Sequence, residues 1–394
     1  LVRYLQCPKN NSMNEFQQVL YKQIDKIQAS NLPTHVKKVV SAVTLCRTNA
    51  MKGRVYSCPN GHFSIFMRES CNNRSCPTCQ SENKREWNSN TKDKVTNSPH
   101  YHLVFKLPAF LYPYILSYYK EFIEILFDAS SKSILKLIKY SFDIAPTTAF
   151  ISVLHTHGDA YQLHPHIHII LNSIALSKKQ DKILLLDETL FKLDNFNSIY
   201  NQILKKELIL LYKKHPELGI DFRQNIDNIH KENIFISKKY ESPYPIIDYL
   251  SKTIKGNALD LNQVDFLDNG SINLHNKDKS FSFSNNEFVI RYIKHIIPQN
   301  IKSIRYSGFY SSASRSKYEI VNQLFEVLSK EETESKFNDD SILDENLKFH
   351  KSCPFCYQKM ILLEEVDEFK VPDIVYIKFG KDPPTEELFT RLVA

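Results

Sequence analysis

His164-Pro165-His166-Ile167-His168-Ile169-Ile170-Leu171 is the stretch that decides how this chain is read. In a strand, side chains at i, i+2 and i+4 project from one face. An extended 164–171 therefore sets three imidazoles on one side and Pro165, Ile167 and Ile169 on the other. The apolar side suits a core. The other side is a row of ring nitrogens, which a divalent metal or a phosphate-handling site can use. A His-rich edge strand without a ligand is the plainer reading. Three histidines in register, with His155 and His157 just upstream, weigh against it.

Neighbouring segments supply partners for that strand. Phe150-Ile151-Ser152-Val153-Leu154-His155-Thr156-His157-Gly158 reads as a strand that turns at Gly158-Asp159. If the two strands pair as a hairpin, His155 and His157 share the face of His164, His166 and His168 where the register allows. His155 is then a candidate metal ligand beside His166 and His168. His100-Tyr101-His102-Leu103-Val104-Phe105-Lys106-Leu107-Pro108 alternates, is β-rich and ends at Pro108, and it offers His102 as another candidate. Residues 110–140 carry Leu, Ile and Phe at helical spacing and read as core helix rather than a binding stripe. Residues 175–230 are polar and helical in character, and residues 233–240 read as a further strand.

Pro245 suits a first helical position and Gly256 a C-cap, which frames a helix with Tyr249, Lys252 and Thr253 on one face. Tyr249 is the candidate nucleophile and Lys252 its phosphate partner; a core tyrosine beside a solvated lysine is the plain alternative. Tyr244 lies between Pro243 and Pro245, and the two prolines are expected to keep it off this helix. Ser284-Asn285-Asn286-Glu287 is a capping box that opens a helix stopped by Pro298. Residues 303–309 read as a strand. Arg74, Arg291, Arg305 and Arg315 are candidate contacts to DNA phosphates.

The chain has eight cysteines, and five of them crowd between positions 46 and 79. Cys58-x3-His62 and Cys76-x2-Cys79 are two chelating pairs at the spacing of a tetrahedral zinc site. Cys46 and Cys71 exceed the four ligands of one ion, so they are either structural or share a second ion. Thiolates favour zinc over magnesium. Arg47, Lys52, Arg54, Arg68, Arg74, Lys84 and Arg85 surround the cluster, which suits a zinc module lying on phosphates as well as plain solvated charge. Cys353-x2-Cys356 is a further chelating pair without an evident partner, which His350 could join.

With 394 residues, the chain is long enough for two or three domains. Hydrophobic residues are 42% and charged residues 24%, the balance of a globular protein, and the net charge of +7 is compatible with nucleic acid. No apolar run approaches the ~18 residues of a membrane helix. Leu1-Val2-Arg3-Tyr4-Leu5-Gln6-Cys7 lacks the shape of a secretory signal, so the expectation is a reducing cytoplasm and metal-binding thiols. The expected organisation is an N-terminal helical segment (1–35), a zinc-binding DNA-binding domain (36–95), a catalytic domain with helical insertions (96–320) and a tail with the lone Cys-x2-Cys (321–394).

Four stretches in this order resemble one family. They are Ser70-Cys71-Asn72-Asn73-Arg74-Ser75-Cys76-Pro77-Thr78-Cys79-Gln80; residues 101–108; residues 153–158 with His164-Pro165-His166-Ile167-His168; and Glu287-Phe288 through Ile304-Arg305-Tyr306-Ser307-Gly308-Phe309. The chain resembles the HUH-type rolling-circle transposases of bacterial insertion sequences, in particular those with an N-terminal zinc-binding domain and a two-tyrosine catalytic domain. The resemblance implies an α+β fold with a central antiparallel sheet of the HUH endonuclease type, flanking helices and a small N-terminal zinc domain. It also implies that His166-Ile167-His168 binds the catalytic ion, with His155 or His102 as a third ligand, and that Tyr249 attacks DNA to leave a 5′-phosphotyrosine. Imidazoles alone suggest zinc or manganese at that site; the resemblance points to Mg2+ or Mn2+, with structural Zn2+ elsewhere.

Two-tyrosine members carry a second tyrosine four residues on, where this chain has Thr253. That implies a single-tyrosine variant or a decayed copy. The implied partner is DNA, mainly single-stranded element ends, with no membrane and a nucleoid-associated place in the bacterial cytoplasm. Three other readings compete: a replication initiator or relaxase with the same chemistry, a transposase remnant that only binds DNA, and a metal-free histidine-triad nucleotide hydrolase.

Overall fold

The computed structural model describes residues 13–332 apart from 63, 143, 230–232, 252–258 and 277–278, together with 353, 356–368 and 370. The first elements are α1 (Glu15–Ala29), α2 (Thr34–Thr44), β1 (Gly53–Ser57), β2 (Ser64–Arg68), α3 (Pro77–Lys92) and β3 (His100–Lys106). Next come α4 (Tyr112–Ile115), α5 (Tyr119–Ser141), β4 (Ala149–His157), β5 (Leu163–Asn172), β6 (Ile174–Leu176), β7 (Ile183–Leu185), α6 (Leu193–Lys214) and α7 (Ile220–Asp227). The remainder comprises β8 (Ile234–Tyr240), α8 (Tyr244–Ser251), β9 (Val264–Phe266), β10 (Ser271–Asn276), β11 (Lys279–Ser284), α9 (Asn285–Lys294), β12 (Ile304–Gly308), α10 (Arg315–Glu332) and β13 (Ile361–Val366). As expected, the fold is α+β with antiparallel sheets. The described residues fall into two units, one drawn from 1–31, 37–73 and 337–394, the other from 32–36 and 74–336.

In the first unit, α1 buries Phe16, Leu20, Ile24 and Ile27, the stripe its helical spacing predicts. Asn14 and Gln17 close a reciprocal capping box at its start, satisfying N–H groups that the first turn leaves unpaired. The Gln17 amide also donates to the carbonyls of Val43 and Cys46. β1 pairs antiparallel with β2 on one side and with β13 on the other. Residues 361–366, placed by the sequence reading in a tail, are thus the third strand of this sheet. A two-stranded ribbon is marginal by itself, and a third strand from far along the chain supplies what it lacks.

The second unit is built on a five-stranded antiparallel sheet in the order β12-β4-β5-β3-β8. Alternation along each strand separates two faces. One carries Leu103, Phe105, Phe150, Leu154, Ile167 and Ile169 into a core with α5, α6 and α7. The other carries Ile151, Val153 and Ile170, over which Trp87 of α3, Ile246, Ile247 and Leu250 of α8, and Val321 of α10 pack. The strand of residues 164–171 is therefore central, with Ile167 and Ile169 inward as their spacing predicts, and the histidines share the second face. A smaller sheet, β11-β10-β9, and the β6-β7 ribbon complete the unit.

Candidate functional site

The register of β4 against β5 sets the histidines. His155 pairs with His166 and Val153 with His168, so His155 lies on the same face as His166 and His168. Beyond His155 the pairing slips, and His157 pairs with Leu163 rather than with His164. Two residues of β5, His164 and Pro165, oppose one of β4, which makes a bulge. A proline has no N–H for a ladder, and a bulge is where a central strand accommodates one. His157 and His164 still line the same cleft as His155, His166 and His168, but they lie outside the converging group of three. The His164 ring is instead hydrogen-bonded through Nδ1 to the Tyr112 hydroxyl.

His155, His166 and His168 converge, with one ring nitrogen from each lying within 4.8 Å of the others. The Nδ1–H of His166 donates to the His164 carbonyl at 2.7 Å, which leaves the lone pair on Nε2. His168 shares a 2.7 Å hydrogen bond between its Nδ1 and His102 Nε2. Its Nε2 is buried and has no hydrogen-bond partner among the described residues. A buried polar atom left unpaired is costly unless something else binds there, and a metal fits this donor set. Burial pushes His166 and His102 down to about 4. It also holds His155 and His168 well below the usual imidazole range, with the neighbouring rings adding to the effect. These rings are neutral at pH 7, the form that ligates a metal. His102 meets His168 from behind and lies outside the group of three; of the two candidates for third ligand, His155 is the one brought to the centre.

Helix α8 places Tyr249 over this group. Its ring centroid lies 6.1 Å from those of His102 and His168. The residue is 49% exposed, so it borders an open cleft of about 720 Å3 that His155, His166, His168, Lys106 and Asp260 also line. Ile246, Ile247 and Leu250 anchor the helix on the sheet. From α3, Asn88 donates to Asp248 at 2.8 Å and to Ser251 at 3.0 Å, and Lys92 pairs with Asp248 at 2.6 Å. No motif singled out Asn88, Asp248 or Asp260. Their polar types are common on surfaces, and only the packing gives them a place. Lys252 and Thr253 lie outside the described residues.

The expectation for Tyr244 is corrected. Helix α8 begins at Tyr244, because the Pro243 carbonyl accepts from the N–H groups of Ile246 and Ile247. Pro245 sits in the first turn, where a missing N–H costs no helical hydrogen bond.

The four arginines have different surroundings. The Arg74 guanidinium donates to the carbonyls of Ile301 and Pro298 and is largely buried, so the fold itself uses it. Arg291 is held by Glu287 and the Ala160 carbonyl, and Arg305 by Glu124 at 2.6 Å over the Phe127 ring. Arg315 is the most exposed of the four, paired with Glu319 at 3.1 Å, and with Arg305 it lines a second cleft that also receives Lys94 and Lys302.

Among the cysteines, the Cys71 N–H donates to Cys46 Sγ at 3.4 Å. Cys76 is the N-cap of α3 and Cys79 lies in its first turn, where the helix end favours thiolate. Cys46 and Cys71 belong to the first unit, and Cys76 and Cys79 to the second. The partners of Cys58 and His62 differ from the expected Cys76 and Cys79: they group with Cys353 and Cys356. His350 lies outside the described residues.

Two family models match the chain, "Transposase zinc-binding domain" over residues 15–107 and "Putative transposase" over residues 149–317. Among curated proteins, the chain is 23% identical over 383 residues to "Putative transposase y4qJ" of Sinorhizobium fredii, covering 88% of this chain and 94% of that one. It is 22% identical over 298 residues to "Transposase for insertion sequence element IS801" of Pseudomonas savastanoi pv. phaseolicola, covering 71% and 72%. No solved structure matches. The zinc-binding match and the cysteines that lie within it together support structural zinc.

Proposed function

The chain belongs to the insertion-sequence transposases that carry a zinc-binding domain, and we propose that it cuts and rejoins single-stranded DNA through Tyr249. One observation carries this reading: a half-exposed tyrosine stands over a group of three converging, neutral imidazoles at the edge of an open cleft. His155, His166 and His168 would hold a divalent ion, Mg2+ or Mn2+, which would supply polarisation of the scissile phosphate. His102 accepts from His168 Nδ1–H and so keeps the Nε2 lone pair of His168 turned to the centre.

The Tyr249 oxygen attacks phosphorus in line with the leaving oxygen. The phenolic proton passes to solvent, the bond from phosphorus to the 3′ oxygen breaks, and that oxygen takes a proton from solvent and leaves as a free 3′-hydroxyl. The 5′ phosphate remains esterified to Tyr249, so the bond energy is kept for rejoining by reversal onto a 3′-hydroxyl. Lys106, exposed at the cleft, offers charge to the DNA backbone, and Arg315 and Lys302 offer it at the second cleft. Lys252 serves as the phosphate partner of Tyr249. Cysteines of the zinc-binding domain hold a structural zinc ion. The place of action is the bacterial cytoplasm, at the nucleoid.

The test is incubation of the full chain with single-stranded oligonucleotides from the element's ends and Mn2+ or Mg2+, followed by a denaturing gel. A DNA adduct is expected that needs the metal, disappears in Tyr249→Phe with DNA binding retained, and disappears in His166→Ala. Persistence of the adduct in Tyr249→Phe would transfer the role to another hydroxyl, Tyr244 on the same helix first. Tight binding of correct ends without any adduct would leave a DNA-binding protein only.

A further inference from the structure

Cys353 and Cys356 have no role in the reading above, and the zinc-binding match ends at residue 107, well short of them. Yet they close on Cys58 and His62 within a single unit. The Sγ atoms of Cys58 and Cys356 are 3.5 Å apart, and Cys58 Sγ is 3.6 Å from His62 Nδ1, although 298 residues separate the two cysteines. All four donor atoms lie within 4.8 Å of one another.

These spacings point to one kind of ligand. A disulfide needs sulfurs about 2.05 Å apart, and none of the described cysteines is in a disulfide. Around a tetrahedral zinc with Zn–S about 2.3 Å and Zn–N about 2.0–2.1 Å, donor atoms stand about 3.5–3.8 Å from each other. The Cys58–Cys356 and Cys58–His62 separations fall at that value. The set of three thiols and one imidazole is itself a common structural zinc set.

The backbone on both sides is bent for the purpose. In Cys58-Pro59-Asn60-Gly61-His62 the Gly61 N–H returns to the Cys58 carbonyl at 2.9 Å, and Gly61 has φ +73°. At the other pair, the Tyr357 N–H returns to the Cys353 carbonyl at 2.8 Å, and Tyr357 has φ +58°. A non-glycine residue in the left-handed region is uncommon and signals a constraint that holds it there. Tyr56, Cys58, Cys353 and Met360 form a small apolar cluster beside the four donors. The pairing of β1 with β13 runs directly out of the site, with Ser57 opposite Ile361.

We propose that Cys58, His62, Cys353 and Cys356 hold a second structural zinc ion, which fastens strand β13 to β1. The zinc domain of this chain is then completed by a segment about 300 residues downstream of its first half. Loss of this ion frees the C-terminal strand and leaves β1 and β2 as a two-stranded ribbon.

The test measures metal in the purified full chain. Zinc content, read by elemental analysis, falls by about one equivalent in Cys353→Ser/Cys356→Ser relative to the unaltered chain. It stays unchanged in His62→Cys, where a thiolate replaces the imidazole. Loaded with Co2+, His62→Cys shows a visible spectrum shifted from that of the unaltered chain, because one cobalt–nitrogen bond has become cobalt–sulfur. This second variant reads the site even where the serine variant fails to fold. Unaltered zinc content in Cys353→Ser/Cys356→Ser, or a Co2+ spectrum in His62→Cys identical to that of the unaltered chain, would overturn the proposal.

Discussion

At the scale of single residues, the candidate site depends on which nitrogen each imidazole offers. His166 has its Nδ1–H committed to a carbonyl, and His168 has Nδ1 committed to His102, so each presents Nε2 to the centre. A group that orients a ligand in this way sets metal affinity without touching the metal. His102→Ala is therefore expected to weaken Mn2+ binding about 10-fold or more, since such partners are typically worth 10–100-fold. His102→Gln, which keeps an acceptor there, restores part of it. Isothermal titration with Mn2+ checks both, and unchanged affinity in His102→Ala would remove His102 from this role. The histidine pattern itself was legible in the sequence because strand alternation is a local property. The division of labour was not: His102 and His155 were equal candidates until pairing across the sheet put one at the centre and the other behind His168.

At the scale of elements, the edge strand β12 shows why a glycine ends the stretch Arg305-Tyr306-Ser307-Gly308. Gly308 has φ +62°, and a Cβ built there would overlap the Thr148 carbonyl just before the neighbouring strand β4. A side chain meets strain and collision together. Gly308→Ala is expected to destabilise the second unit by on the order of 2–4 kcal/mol, visible as a drop of several degrees in Tm. A Tm within a degree of the unaltered chain would show that the strand end shifts freely. Helix α8 teaches the complementary point. Its existence was readable from Pro245 and the apolar spacing, but its start was placed too late, because a proline in the first turn removes no helical bond. Ile246, Ile247 and Leu250 seat α8 on the sheet and α3 braces it through Asn88 and Lys92, and no local pattern shows which helix lies beside which.

At the scale of the whole molecule, buried neutral histidines set how the fold responds to acid. His100 and His295 are fully buried, His100 between the Ser98 carbonyl and the Tyr310 hydroxyl, His295 between Thr156 and the Tyr161 carbonyl. Burial pushes both down to about 4. An unfolded chain protonates them near 6.5, so between about pH 6.5 and 4 the unfolded state binds protons that the folded state refuses. Stability is full above that window and is lost as pH falls through it, by about 2 kcal/mol for each histidine on reaching pH 5. Thermal unfolding at pH 7.5 and pH 5 is expected to show a clearly lower Tm at pH 5; an equal or higher value would mean that these rings are not held neutral.

By itself the sequence determined the fold class, the inward faces of the strands, the histidine row, the candidate tyrosine and the presence of metal-binding cysteines. Each of these rests on spacing within some ten residues, where covalent geometry alone decides which side chains share a face. Only the tertiary structure decided the bulge that leaves His164 outside the group of three, the convergence of His155 rather than His102 on His166 and His168, and the partnership of Cys58 and His62 with Cys353 and Cys356. Those depend on which distant segments pack together. That choice is made by the burial of whole faces, and a periodicity read along one segment carries no record of the segment it will meet.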